Sequence, residues 1–138
     1  MDYSIPRGIR NNNPLNIRIG NSWRGEVENP TDKDFEQFQT MFWGLRAGFV
    51  LLRRYITRYQ LNTIEKIISR WAPNNENNTE QYIRLVCKLM GKARTDILSW
   101  YDENDMTKLV FEMCIVENGQ EVDGSEIVKA YRYVISCT

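Results

Sequence analysis

From Phe42 to Tyr59 the apolar residues Phe42, Leu45, Phe49, Leu52, Tyr55, Ile56 and Tyr59 recur at three- and four-residue intervals. That spacing lays one apolar stripe along a helix, and it returns in segment after segment of the remaining chain. Thr63 is placed to cap a second helix over 64–71, which carries Ile64, Ile67, Ile68 and Trp71. Ala72-Pro73 and the asparagine-rich run to Asn78 break the pattern. Asn78 or Thr79 then opens a helix to about residue 90, with Tyr82, Ile83, Val86, Leu89 and Met90 inward and Gly91 as terminator. A short helical turn is expected over 94–102, around Ile97, Leu98 and Trp100. A helix from about 105 to 117 carries Leu109, Val110, Met113, Cys114 and Val116 and stops at Asn118-Gly119. Asp123-Gly124-Ser125 starts the last one, through Ile127, Ala130, Tyr131 and Val134.

Residues 1–40 show no such period. Turn signals stand at Asn21-Ser22 and Asn29-Pro30, and extended pieces are expected near 16–19 and 34–39, where Phe35 and Phe38 sit among polar residues. The predicted fold class is mainly α (α+β), a helical bundle with an irregular, partly extended N-terminal lobe. At 138 residues it is expected to be one domain, 1–138, large enough for a core but not for two.

Charge and residue usage exclude several functions. The formal net charge is zero and no basic block occurs, so neither nucleic acid nor an anionic membrane surface has an electrostatic handle. Arg53, Arg54 and Arg58 read as a solvated helix face. Histidine is absent, which removes Ser-His-Asp and Cys-His nucleophile systems and His-containing zinc sites. No metal or organic cofactor is implied. Cys87, Cys114 and Cys137 are odd in number and far apart, the pattern of buried free thiols in a reducing compartment. With no signal peptide and no membrane-spanning apolar run, the expectation is synthesis in the cytoplasm without membrane insertion.

Between Arg7 and Arg18 lie Asn11, Asn12, Asn13 and Asn16 together with three arginines, a proline and a glycine. These residues disfavour helix and strand interiors and predict a loop. An asparagine amide offers two donors and one acceptor in a plane, which suits the hydroxyl and N-acetyl groups of amino sugars. Asn12, Asn13 and Asn16 are therefore candidate saccharide ligands, with Trp23, in a polar loop beside Gly25, as a stacking platform. The same amides could instead hold the loop in shape through Asx-type bonds to its own backbone. Trp43 and Trp71, on helical stripes, read as core.

Among the carboxylates, Glu117 falls in the last turn of its helix, where the negative end of the macrodipole raises a carboxyl pKa. Its neighbours Cys114, Ile115 and Val116 add desolvation in the same direction. A carboxyl kept protonated near neutrality is what glycoside cleavage needs to protonate a leaving oxygen. The alternative is an ion pair with Arg10 or Arg18. Glu76, just before a helix, is held toward the charged form, as a base, a charged partner or a simple cap. Glu26, Glu28, Asp32, Asp34 and Glu36 crowd the segment between Trp23 and Phe38, and their spacing singles out none.

The run Arg7-Gly8-Ile9-Arg10-Asn11-Asn12-Asn13-Pro14-Leu15-Asn16-Ile17-Arg18, then Ser22-Trp23-Arg24-Gly25, Phe35 and Phe38, resembles a family of bacteriophages and prophages described as virion structural or virion-associated lytic proteins. The resemblance continues through Trp43-Gly44, Arg46-Ala47, the Tyr55 helix, Trp71-Ala72-Pro73, Glu76-Asn77, Thr79, Tyr82 and Glu117-Asn118-Gly119, nearly the whole chain. More loosely, Asn12-Asn13-Pro14-Leu15-Asn16-Ile17 with Trp23 and Phe35 is similar to bacterial N-acetylglucosaminidases, which have a lysozyme-like fold. In those enzymes the acid precedes this segment, whereas here the matching apolar helix with its Glu117-Asn118-Gly119 ending comes last. The resemblance implies a lysozyme-like domain of circularly permuted order, with Glu117 beside the Asn12–Asn16 loop. It implies a muramidase or lytic transglycosylase acting on peptidoglycan glycan strands, with Glu117 as acid. The rival implication is a non-catalytic virion structural or wall-binding module. Partners are then peptidoglycan or other virion proteins, and the location is the virion or cell wall after assembly or lysis.

Overall fold

The computed structural model describes residues 4–73 and 78–137. Among them six α-helices account for about half of the residues: α1 (Arg7–Arg10), α2 (Met41–Arg53), α3 (Ile64–Trp71), α4 (Thr79–Met90), α5 (Glu103–Asn118) and α6 (Gly124–Ser136). Each of the five long helices starts on a side chain that accepts from an orphan backbone N–H: Thr40, Thr63, Asn78, Asp102 and Asp123 in turn. Gly91 and Gly119 end α4 and α5 in the left-handed conformation, at φ 66° and 71°. The helical periodicity and its breakers therefore mark real elements.

α2 packs most extensively on α6, α5 on both α4 and α6, and α3 on α4. Their inward faces form one apolar cluster, in which Leu45, Phe49, Leu52, Ile67, Leu109, Met113 and Tyr131 are almost wholly buried. Phe49, Trp100 and Tyr131 pack ring to ring at its centre. Three expectations need correcting. Leu89, expected inward, is 39% exposed. The 94–102 segment forms turns, not helix, because its backbone is committed sideways: Leu98 N donates to Asn62 O at 2.8 Å and Arg94 O accepts from Glu65 N at 3.2 Å. Cys137 is exposed, Cys87 half-buried and only Cys114 buried.

The asparagine-rich segment contains one helical turn, α1, before the chain reverses through Asn12 and Asn16. Both take left-handed φ values, 52° and 51°, a region asparagine tolerates better than most residues. The loop lies flat on α2 because two glycines leave room. A Cβ on Gly44 would run into the Asn12 carbonyl, and one on Gly48 into the Leu15 side chain. The lobe is only partly extended, with antiparallel bridges pairing Arg18 with Phe35 and Glu26 with Phe38. After Arg53 the backbone of α2 widens into a π-helical turn, Arg54–Arg58. Such widening is frequent at functional sites. Here it includes Tyr55, a residue of the cleft described next.

Candidate functional site

Where the N-terminal lobe meets the helices there is a cleft of about 430 Å³. One wall is the extended piece through Asn16 and Arg18 with Phe35 across the bridge; the other is Tyr55, Arg70 and Trp71, and Glu117 belongs to the lining. Glu117 reaches the cleft because α5 runs to its last turn beside the asparagine loop. Asn118, the next residue, is buried and its amide donates to Pro14 O at 2.8 Å and to Cys114 O at 2.9 Å. That bridge clamps the helix end to the loop.

The Glu117 carboxyl accepts from Asn16 Nδ2 at 2.8 Å on Oε1 and from the Tyr82 hydroxyl at 3.0 Å on Oε2. Burial pushes its pKa up, and the two hydrogen bonds and the charge of Arg18 oppose that rise. Among the described residues no ion pair joins it to an arginine or lysine. Arg10, one of the two expected partners, turns to the Ile5 carbonyl at 3.0 Å. Arg18 instead stacks over the Phe35 ring at 4.8 Å, within electrostatic reach of Glu117. The result is a half-buried carboxyl with a raised affinity for protons at the wall of a cleft.

Glu117 and Asn16, at opposite ends of the chain, are thus brought together. The remaining candidates are placed otherwise. Asn13 is fully buried: its amide nitrogen donates to Ile17 O at 2.9 Å and Glu36 O at 3.0 Å, and its oxygen accepts from Ile17 N at 3.0 Å. Asn12 donates to Phe38 O at 3.1 Å. Both amides hold the lobe together, Asn13 through local bonds to Ile17 of the Asx-type kind and both through bonds to the 36–38 segment outside the loop. Trp23 is only 7% exposed, with the Arg54 guanidinium over its ring at 5.4 Å, and is absent from the cleft wall. Glu76 lies outside the described residues.

The aromatic wall is built by residues read as core. Trp71 is half-buried, donates through Nε1 to Leu15 O at 2.9 Å, and packs edge-on against Tyr55 with centroids 5.6 Å apart. Arg70 lies over one face of the Tyr55 ring, 5.7 Å from its centroid. The signal for Trp71 was its place at the very end of α3, where a helical stripe runs out into a loop. Tyr82 had no signal beyond its place on an apolar stripe. Of the acidic segment, Asp32 is tied to Arg7 at 2.6 Å, which with the Asn11 amide holds its carboxyl far below the usual range. Glu36 is buried beside Glu26, and burial together with that neighbouring carboxyl pushes it up to about 7. Phe35 lines the cleft and Glu36 does not.

Among the described residues no cluster of histidine, cysteine or acidic side chains is suited to a metal ion, and no helix is long and apolar enough to cross a membrane. No protein-family model matches the chain. Protein P5 of Pseudoalteromonas phage PM2 is 45% identical over 119 residues, covering 82% of this chain and 71% of that protein.

Proposed function

Because the chain belongs to the family of Protein P5 of Pseudoalteromonas phage PM2, we propose that it serves a phage or prophage by cleaving the glycan strands of peptidoglycan, as a single lysozyme-like domain of permuted element order. The observation that supports this most is the setting of Glu117: a carboxyl in a cleft, favoured toward its protonated form by burial, and held beside Asn16 from the other end of the chain. General acid catalysis asks for that combination of reach and proton affinity. Glu117 would protonate the glycosidic oxygen between two amino sugars. Water, or the sugar's own 6-hydroxyl, would then capture the oxocarbenium-like carbon. Glu117 is the one carboxylate among the described lining residues, which favours the internal-hydroxyl or substrate-assisted route over a two-carboxylate retaining mechanism. Tyr55 and Trp71 would stack on sugar faces in the role first given to Trp23, and Asn16 and Asn21 would meet polar groups.

A second reading, a virion structural or wall-binding module, has its own observation. Both Glu117 oxygens accept bonds, from the N-terminal loop and from α4, so the carboxyl also works as a pin between elements. The readings part on incubation with purified peptidoglycan of the wild type beside Glu117→Gln, with soluble muropeptides read by mass spectrometry. Release by the wild type alone is expected, with anhydro ends marking a transglycosylase. Equal release by both would remove Glu117 as the acid. No release from either, with protein sedimenting with the wall, would favour the binding module.

A further inference from the structure

The two donors on Glu117 are not equivalent. Asn16 Nδ2 can only donate, so Oε1 cannot carry a proton without setting hydrogen against hydrogen across 2.8 Å. The Tyr82 hydroxyl, 3.0 Å from Oε2, can rotate from donor to acceptor. Asn16 Oδ1 is buried on the α1 side without a hydrogen-bond partner among the described residues, and a Cβ on Gly8 would sit 2.9 Å from it.

From this geometry we infer that Tyr82 is the positioning residue of Glu117: it selects Oε2 as the oxygen that carries the proton, and its hydroxyl reverses from donor to acceptor as that proton arrives. The inference rests on Glu117 as the acid only for its catalytic consequence; the hydrogen-bond exchange itself involves no substrate. The transferable proton is then stored on Oε2, and a sugar oxygen must replace Tyr82 as acceptor before transfer. Tyr82 is suited to the role because it is 6% exposed and never ionises in the working range. Burial, and then the Glu117 charge, hold its pKa well above the ordinary tyrosine value.

Other groups face the same carboxyl without sharing this exchange. Arg18, from the extended piece, stabilises the charged form. Cys114, one turn back on α5, is held as a neutral thiol by burial and by Glu117. Arg70 and Tyr55 lie in the cleft wall, and Arg70 is engaged with the Tyr55 ring.

The test is a pH titration of the substrate-free protein by carbon NMR, following Glu117 Cδ and Tyr82 Cζ. In the wild type both resonances are expected to move with one shared midpoint, because reversal of the hydroxyl is linked to protonation. In Tyr82→Phe the Glu117 midpoint is expected to rise by no more than about one pH unit, the difference between a hydrogen bond donated to the carboxylate and one accepted from the acid. A Tyr82 Cζ signal that stays flat through the Glu117 transition would overturn the inference, and that observation needs no variant to fold. Neither outcome depends on peptidoglycan cleavage, so the proton assignment and the proposed activity stand or fall separately.

Discussion

At Asn13 the side-chain amide satisfies the backbone of two separated segments, 17 and 36, from a fully buried position. Asn13→Ala would strand Ile17 N and Glu36 O, and is expected to cost about 2–4 kcal/mol in urea denaturation, one to two unsatisfied buried groups. Asn13→Asp should be no milder, since a carboxylate has no N–H for either carbonyl. Glu117 gives a paired expectation. Glu117→Gln can accept from Asn16 through its oxygen and donate to a reversed Tyr82 through its nitrogen, matching the protonated carboxyl. Its melting temperature should therefore equal or exceed that of the wild type at pH 8, whereas Glu117→Ala leaves two donors unmet and should lose about 1–3 kcal/mol. A Gln variant less stable than Ala would contradict this account. Glu117 was legible in the sequence because its cues, helix end and apolar neighbours, are local. Asn13 and Trp23 were readable only as polar-loop residues, since what buries them is contributed by Glu36 and Arg54, far along the chain.

At the level of elements, the packing of the asparagine loop on α2 depends on Gly44, whose face is occupied by the Asn12 carbonyl. Gly44→Ala must lift the loop or break the turn at Asn12, and is expected to lower stability by about 2–4 kcal/mol, as overpacking against backbone does. Glu117–Asn16 contact should weaken with it, detectable as a shifted Glu117 midpoint. Gly124 is the opposite case. It opens α6 with nothing within 4 Å of a Cβ placed there, so Gly124→Ala is expected to stabilise by about 0.5–1 kcal/mol through lost unfolded-state freedom. A destabilised Gly124→Ala would show that the α6 start is constrained in a way its surroundings do not reveal. The five long helices were legible because period, caps and glycine stops agree with one another. The 94–102 segment was not, because two buried residues, Leu98 and Trp100, imitate a helical stripe while backbone bonds to Asn62 and Glu65 dictate turns. Nor could spacing show the single turn of α1 or the π-helical widening at Arg54, the second of which carries Tyr55 of the cleft wall.

For the whole molecule, seven shifted carboxylates divide into two groups whose effects on stability have opposite sign with pH. Asp32, Glu80, Glu103 and Asp123 are lowered by hydrogen bonds, the first three to arginines. Each binds fewer protons folded than unfolded, so its contribution is present above the ordinary carboxylate range and is lost as pH falls through the lowered value. Glu117 and Glu112 are raised, chiefly by burial, and Glu36 is raised to about 7 by burial and by Glu26. These bind more protons folded than unfolded. Their contribution is full below the ordinary range and declines as pH climbs toward and past the raised value. The two trends cross, and the melting temperature is expected to peak at about pH 5 and fall on both sides. Glu36→Gln should flatten the fall between pH 5 and 8 and leave the acid side unchanged, since an amide beside Glu26 removes the shared-proton requirement without touching the arginine pairs. Asp32→Asn should do the reverse, lowering stability at neutral pH and flattening the acid side. Scanning calorimetry of the three proteins from pH 3 to 8 checks both signs. An alkaline fall that survives Glu36→Gln undiminished would assign it to Glu117 and Glu112, and the combined Glu117→Gln, Glu112→Gln variant would then have to remove it.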